Sequence, residues 1–203
     1  MRGVAAYTAS PLMKGLADVL GKHPEADLGN AFNHKQIGSK LWAREAIFDT
    51  LRGRLGRVVI LGGWYGILAA MLFDDSRFEI GRIDSYDIDP AVGPVAETLN
   101  RAWSERFSAV TADMYAMDYP ALGADLIVNT SCEHIADLRA WLALLPRGTR
   151  VMLQSNDYFS EPTHINCVPD LQAFIDQAQL ATLDFSGSLK MKKYTRFMLI
   201  GSV

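Results

Sequence analysis

Cysteine is scarce in this sequence: Cys132 and Cys167 are the only two in 203 residues. That is too few for a disulfide framework or a cysteine-rich zinc site, and it points to a reducing compartment, the cytoplasm. An excess of charge is also missing. Lysine and arginine number 20 against 23 acidic residues, for a net charge of −3, and no basic run occurs, so nucleic acid is not an expected partner. No apolar stretch approaches the roughly 18 residues needed to cross a bilayer. The opening MRGVAAYTASPLMKGLADVLG is interrupted by Tyr7, Pro11 and Lys14 before a signal-like run can form. Internal repeats and low-complexity tracts are absent as well.

What is present is an ordinary globular balance, with 49% hydrophobic and 21% charged residues, enough at this length to bury a core unaided. One domain is expected over residues 1–203, with 1–55 as an N-terminal helical cover and 56–203 as the core. The core is organised around RVVILGGWYG (57–66), where an apolar strand (Val58, Val59, Ile60, Leu61) meets a glycine turn and then the helix-forming ILAAML. Strand, glycine turn and helix together form the first unit of a nucleotide-binding α/β sheet. The turn lacks the G-x-G-x-x-G spacing that lets bare backbone approach a pyrophosphate. Trp64 and Tyr65 occupy that approach, which disfavours a nicotinamide dinucleotide and favours an adenosine ligand without a diphosphate, S-adenosyl-L-methionine. Taken alone, Gly62 and Gly63 also fit a plain tight corner.

Along the chain, Ser10 and Pro11 open a helix over 10–20 with Leu12, Leu16, Val19 and Leu20 on one face. After a loop at 21–34, a helix over about 35–55 carries Ile37, Leu41, Ala46, Ile47 and Leu51. These apolar faces can pack on the chain's own sheet, as a cover over its ligand edge, or on a second copy. Strands are expected at 82–87, 107–111, 124–129 and 149–154. The intervening helices are expected from Asp89 through Trp103 and over 135–145, and a further helix at 169–179. Segments 181–189 and 195–201 are joined by too short a link for a crossover helix, so they must pair antiparallel. The fold class is therefore α/β: a mostly parallel seven-stranded sheet with helices on both faces and a terminal antiparallel β-hairpin.

This pattern over about 55–203 resembles the class I S-adenosylmethionine-dependent methyltransferase superfamily (Rossmann-like). Gly62 and Gly66 match the first and last glycines of that family's acidic-x-G-x-G-x-G loop, while Trp64 replaces the middle glycine and Ile60 the acid. The resemblance implies that Gly62, Gly63 and Trp64 hold the methionyl part of S-adenosyl-L-methionine. In YDIDP, it gives Asp87 the ribose hydroxyls, with Asp89 as the competing residue and as an N-cap. In TADMYAMD, it gives Asp113 and Met114 the adenine, Asp113 otherwise being a turn or cap residue.

The run IVNTSCEHI follows the fourth strand, where open α/β sheets bind ligands. By resemblance, Asn129 and His134 face the acceptor there. Methyl transfer is an in-line displacement that mainly requires alignment, and His134 is the natural base if the acceptor must lose a proton, with Glu133 or Asp157 next. A structural alternative makes Thr130 or Ser131 the cap of the next helix, with Glu133 favoured by its dipole. Cys132 reads as a packed small residue, since neighbours on one helical turn do not face one another.

Beyond the fifth strand, QSNDYFSEPTHINC reads as a long loop that recognises a small-molecule acceptor, with Asn156, Asp157, Tyr158 and His164 foremost, beside Gln154, Glu161 and Asn166. No H-E-x-x-H spacing accompanies the histidines, and no metal is expected. Asn33, His34, Lys35 or Lys40 can supply the partner of the cofactor's carboxylate. Competing functions are aminocarboxypropyl transfer or cyclisation, which release methylthioadenosine, and a non-catalytic domain binding an adenosine ligand.

Overall fold

The structure, a computed structural model, describes residues 9–203; residues 1–8, Tyr7 among them, lie outside the described residues. Helix α1 (Pro11–Lys22) starts at the expected cap, the Ser10 hydroxyl accepting from the Met13 N–H at 3.4 Å. A short helix α2 (Leu28–Ala31) interrupts the expected loop. Helix α3 (His34–Leu51) is capped by the Asn33 side chain, which accepts from the Lys35 and Gln36 N–H groups. It stops short of Leu55 because Arg52 and Gly53 adopt left-handed φ values of 62° and 75°, a conformation that ends helices.

The remaining chain alternates strands and helices: β1 (Arg54–Leu61), α4 (Ile67–Asp74), β2 (Glu79–Asp87), α5 (Gly93–Leu99), β3 (Phe107–Thr111), α6 (Tyr119–Leu122), β4 (Leu126–Asn129), α7 (Leu138–Leu142), β5 (Arg150–Asn156), α8 (Leu171–Ala178), β6 (Thr182–Lys190) and β7 (Thr195–Ser202). The strands form one sheet in the order β3-β2-β1-β4-β5-β7-β6. Pairing is parallel from β3 through β5, and β7 runs antiparallel to both β5 and β6. The mostly parallel sheet with a terminal hairpin is thus as the spacing requires.

Strand β1 reads as a continuous apolar run because both of its faces are buried. Val58 and Ile60 face α3 and α4, packing with Ala43, Ile47, Leu68 and Leu72. Val59 and Leu61 face the other way, toward Leu138 and Trp141 of α7 and Phe174 of α8. Helix α4 is apolar all round since its far side meets α1 and α5 through Ile67, Met71, Leu16, Val19 and Leu99. Each large apolar side chain buried in this way contributes roughly 1.5–3 kcal/mol. Among the described residues no helix is long and apolar enough to cross a membrane.

Several local expectations are corrected. Asp84 sits in β2, 2% exposed, and the strand tolerates it because Arg57 and Arg82 pair with its two oxygens at 2.7 and 2.8 Å. Asp89 caps no helix; its carboxylate accepts from the Ala91 N–H in a turn, and α5 begins later, at Gly93. The expected helix at 135–145 divides into a 3-10 turn, Cys132–His134, and α7, which Asp137 caps through the Ala140 N–H. Neither Thr130 nor Ser131 caps it. Gln154 and Asn156 belong to β5 and not to the loop beyond it.

Candidate active site

Two cavities meet above the carboxyl ends of β1 and β4. The first, about 380 Å³, is lined by Gly62, Tyr86, Asp87, Ile88, Asp113, Met114 and Asn129. The second, about 480 Å³, is lined by Lys35, Lys40, Ile60, Trp64, Glu133, Tyr158, His164 and Arg196 among others. Gly62, Ser131 and His134 border both.

The turn between them depends on its glycines. Gly62 has φ +60°, and a Cβ on Gly63 would stand 1.9 Å from the Ser85 Oγ. The Gly63 N–H donates to the Tyr86 carbonyl at 3.1 Å, tying β1 to β2. Trp64 keeps a left-handed φ of 49°, an unfavourable conformation for a bulky residue. The Asp87 carboxylate holds it there, with Oδ2 accepting from the Trp64 N–H at 2.8 Å and Oδ1 from the Asp89 N–H at 3.1 Å. Each of these oxygens keeps a further lone pair. The aromatics do not plug the corner. Trp64 and Tyr65 stack with centroids 4.8 Å apart and pack against the N-terminal helices, where the Tyr65 hydroxyl accepts from the Asp27 N–H.

Asp113 caps a 3-10 turn through the Tyr115 N–H and also lines the first cavity, so the cap and site readings coexist. The Met114 carbonyl accepts from the Tyr119 hydroxyl. Asn129 is 2% exposed. It lies on the Asp87 side, its Oδ1 accepting from the Ser131 N–H, and not with the second cavity. Asp157 lines neither cavity; its carboxylate accepts from the Thr195 N–H at 2.6 Å and pins the start of β7. Asn33, Lys35 and Lys40 line the second cavity, whereas His34 does not.

Buried Glu133 is a poor free base, because Oε1 accepts from the Asn156 Nδ2 at 2.7 Å and from the Arg196 guanidinium at 3.2 Å. Its Oε2 is buried without a partner among the described residues. The Arg196 guanidinium also donates to the Thr130 carbonyl and to the Gln154 Oε1, clamping the β4 loop to β5 and β7. The His134 Nδ1 lies 2.9 Å from the Thr163 carbonyl, and its ring meets that of His164 edge to face at 4.8 Å. Donor atoms of Glu133, His134 and His164 all lie within 4.8 Å of one another. Burial pushes the His164 imidazole below its usual range, with His134 adding to the effect and Glu133 opposing it. Tyr158 stacks on Tyr194 at 5.2 Å.

Lys40 is drawn down to about 8 by burial, with Arg196 adding to the effect. The Cys132 thiol is raised well above its usual value by burial and then by Glu133, which makes it inert as a nucleophile. Sequence reasoning missed Arg196 and Ile88. A lone arginine within the apolar TRFMLIG was the available signal for the first. The second is an apolar residue between two aspartates, left 71% exposed at a cavity rim.

No protein-family model matches the chain, and no curated protein matches it. Solved structures do. The N-methyltransferase NodS from Bradyrhizobium japonicum superposes with a TM-score of 0.58 at 13% identity, over 80% of this chain and 96% of that one. The N-terminal domain of EvdMO1, with SAH bound, gives 0.61 at 12% identity over 88% and 85%. The methyltransferase domain of bacterial CtHen1 gives 0.57 at 15% identity over 79% and 97%. On strand order, terminal hairpin and these superpositions, the chain has the fold of the class I S-adenosylmethionine-dependent methyltransferase superfamily.

Proposed function

We propose that the chain is an S-adenosyl-L-methionine-dependent methyltransferase acting on a small-molecule acceptor, with residues 1–55 serving as a cover on the core of a single domain. The observation that carries this reading is the pair of adjoining cavities that share Gly62, Ser131 and His134. One holds Asp87 and Asp113 beside apolar Ile88 and Met114, and the other is polar and cationic. The residues fit the cofactor. Asp87 keeps free lone pairs for two ribose hydroxyls, Asp113 can accept from an adenine amino group, and Ile88 offers an apolar face to the base. Ile60 removes the usual acid, while Lys40 and Lys35 offer ammonium groups to the methionyl carboxylate.

When bound, the cofactor supplies an electrophilic methyl group on a sulfonium. The protein's own share is alignment and exclusion of water. Gly62 and Gly63 let the backbone come close, Asp87 fixes the Trp64 amide, and the N-terminal helices close the side nearest Trp64. His134 stands where the cavities meet. Its Nδ1 proton is directed at the Thr163 carbonyl, leaving the Nε2 lone pair for the acceptor. Both cysteines are free, in keeping with a reducing cytoplasm.

The test is calorimetric titration with S-adenosylmethionine and S-adenosylhomocysteine, followed by product analysis with candidate acceptors. Binding with release of S-adenosylhomocysteine is expected. No binding at millimolar ligand removes the cofactor, and release of methylthioadenosine replaces methyl transfer with aminocarboxypropyl chemistry.

A further inference from the structure

We propose that Glu133, His134 and His164 form a binding site for one first-row divalent cation of the zinc or cobalt type, open toward the acceptor cavity. The three donors come from two segments, the 3-10 turn after β4 and the loop after β5, and they converge to within 4.8 Å of one another. Glu133 is 2% exposed. Its Oε1 is satisfied by Asn156 and Arg196, yet its Oε2 is buried with no hydrogen-bond partner among the described residues. A buried carboxylate oxygen left unpaired is costly, and a cation bound through that oxygen would remove the cost.

The neighbouring imidazoles are prepared for the same ion. Because a carbonyl can only accept, the 2.9 Å contact of the His134 Nδ1 with the Thr163 oxygen puts the proton on Nδ1 and the free lone pair on Nε2. Metal-binding histidines are commonly oriented by such an outer contact. The His164 ring stands edge to face with that of His134 at 88°, and its Nδ1 lies 3.7 Å from the Cys167 sulfur. Donors held about 2.1 Å from an ion in a tetrahedral shell lie about 3.4 Å apart. Closing the set falls to the partly exposed His164, because the Thr163 contact already fixes His134.

Two imidazoles and one carboxylate suit zinc, cobalt, iron or nickel better than magnesium or calcium, which require oxygen donors. Three protein ligands also leave a position open, and it faces the cavity of about 480 Å³. Arg196 already shares the charge of Glu133, and Lys35 and Lys40 line the same cavity. Glu161 lines the cavity too, so with Glu133 paired to Arg196 the two lysines and the ion outweigh it, and an anionic or ionisable oxygen completes the ion's shell. The acceptor is accordingly assigned to small molecules bearing a carboxylate or an acidic hydroxyl. In this arrangement the His134 lone pair holds the ion, and does not itself abstract a proton. The acceptor assignment rests on the methyltransferase reading; the ion site does not.

The test is equilibrium dialysis of the chelator-treated full chain with Zn²⁺ and with Co²⁺, the latter followed by its visible absorption, in excess Mg²⁺. One ion per chain is expected. His164→Ala and Glu133→Gln should each weaken binding by at least about 10- to 100-fold, the loss that removing even an outer contact brings. His23→Ala, whose imidazole is engaged by Thr98 and Glu25, should leave it unchanged. His164 lies in a loop, so its variant keeps the test decisive if Glu133→Gln fails to fold, as judged by circular dichroism. Absence of a bound ion, or its full retention in folded His164→Ala, overturns the site. Titration with S-adenosylhomocysteine in parallel separates the two readings. An ion without nucleoside binding removes only the methyltransferase reading, and nucleoside binding without an ion removes only the metal site.

Discussion

Replacing Lys40 with methionine should raise the stability of the protein while lowering its affinity for S-adenosylmethionine. The lysine is drawn down from 10.5 to about 8, chiefly by burial and secondarily by Arg196. At about 1.4 kcal/mol per pH unit, holding the ammonium in place costs up to about 3 kcal/mol. The side chain keeps some contact with solvent and donates to the Gln36 Oε1 at 2.7 Å, so a gain of about 1–2 kcal/mol is expected for Lys40→Met at neutral pH.

The sign with pH follows from linkage. A lysine whose folded value lies below its unfolded value imposes its full penalty below about 8. That penalty is relieved as pH rises from about 8 to 10.5. The stability advantage of Lys40→Met should therefore be largest near neutral pH and vanish in strong alkali, as read by urea denaturation across that range. Loss of a charge-assisted contact with the methionyl carboxylate should weaken cofactor binding by about 1.5–3 kcal/mol, roughly 10- to 100-fold. Cofactor binding to the parent protein near pH 8 should also take up a proton, because a carboxylate beside Lys40 favours its charged form. Calorimetry in buffers of differing ionisation enthalpy measures that uptake. A Lys40→Met variant less stable at neutral pH, or one binding the cofactor with unchanged affinity and proton uptake, refutes the reasoning.

Further outcomes follow from the same geometry. Asp87→Asn should weaken S-adenosylhomocysteine binding by about 10- to 100-fold; calorimetric titration giving parental affinity would remove Asp87 from the ribose site. Gly63→Ala should cost about 1–3 kcal/mol in urea denaturation, since the added Cβ would meet the Ser85 Oγ at 1.9 Å. A second change, Ser85→Ala, should return part of that loss, and failure to do so would place the strain elsewhere. The Cys132 thiol, fully buried and raised by burial, should resist a disulfide reagent until denaturant is added, and Cys132→Ala should retain turnover with the acceptor. Rapid labelling in the native state would contradict the packing.

Much of the fold was legible because local physics wrote it into the chain. The run from Val58 to Leu61 is apolar on both faces and therefore central, and the short link between β6 and β7 forces antiparallel pairing. Ser10, Asn33, Asp137 and Asp170 cap helices through their own side chains, and of these Ser10, with Pro11 behind it, carries the plainest signal in the sequence. Boundaries slipped where one residue served two purposes. Asp89 looks like a helix cap but closes a turn, and Asp84 looks too polar for a buried strand until Arg57 and Arg82 are seen beside it.

The site divides along the same line. Gly62, Gly63, Asp87 and Asp113 sit at strand ends, so their approach to one cavity follows from the alternation of strand and helix that the residue pattern encodes. Contacts between distant segments leave no such periodic trace. The Glu133–Asn156–Arg196 cluster joins the 3-10 turn after β4 to β5 and β7, and His134 meets His164 from another loop. The sheet and the glycine corner at the end of β1 could be read from the residues alone, because hydrophobic periodicity and glycine geometry are local. Which charges gather at that corner emerges with the folded chain, because burial and pairing between remote side chains exist only once the chain has closed.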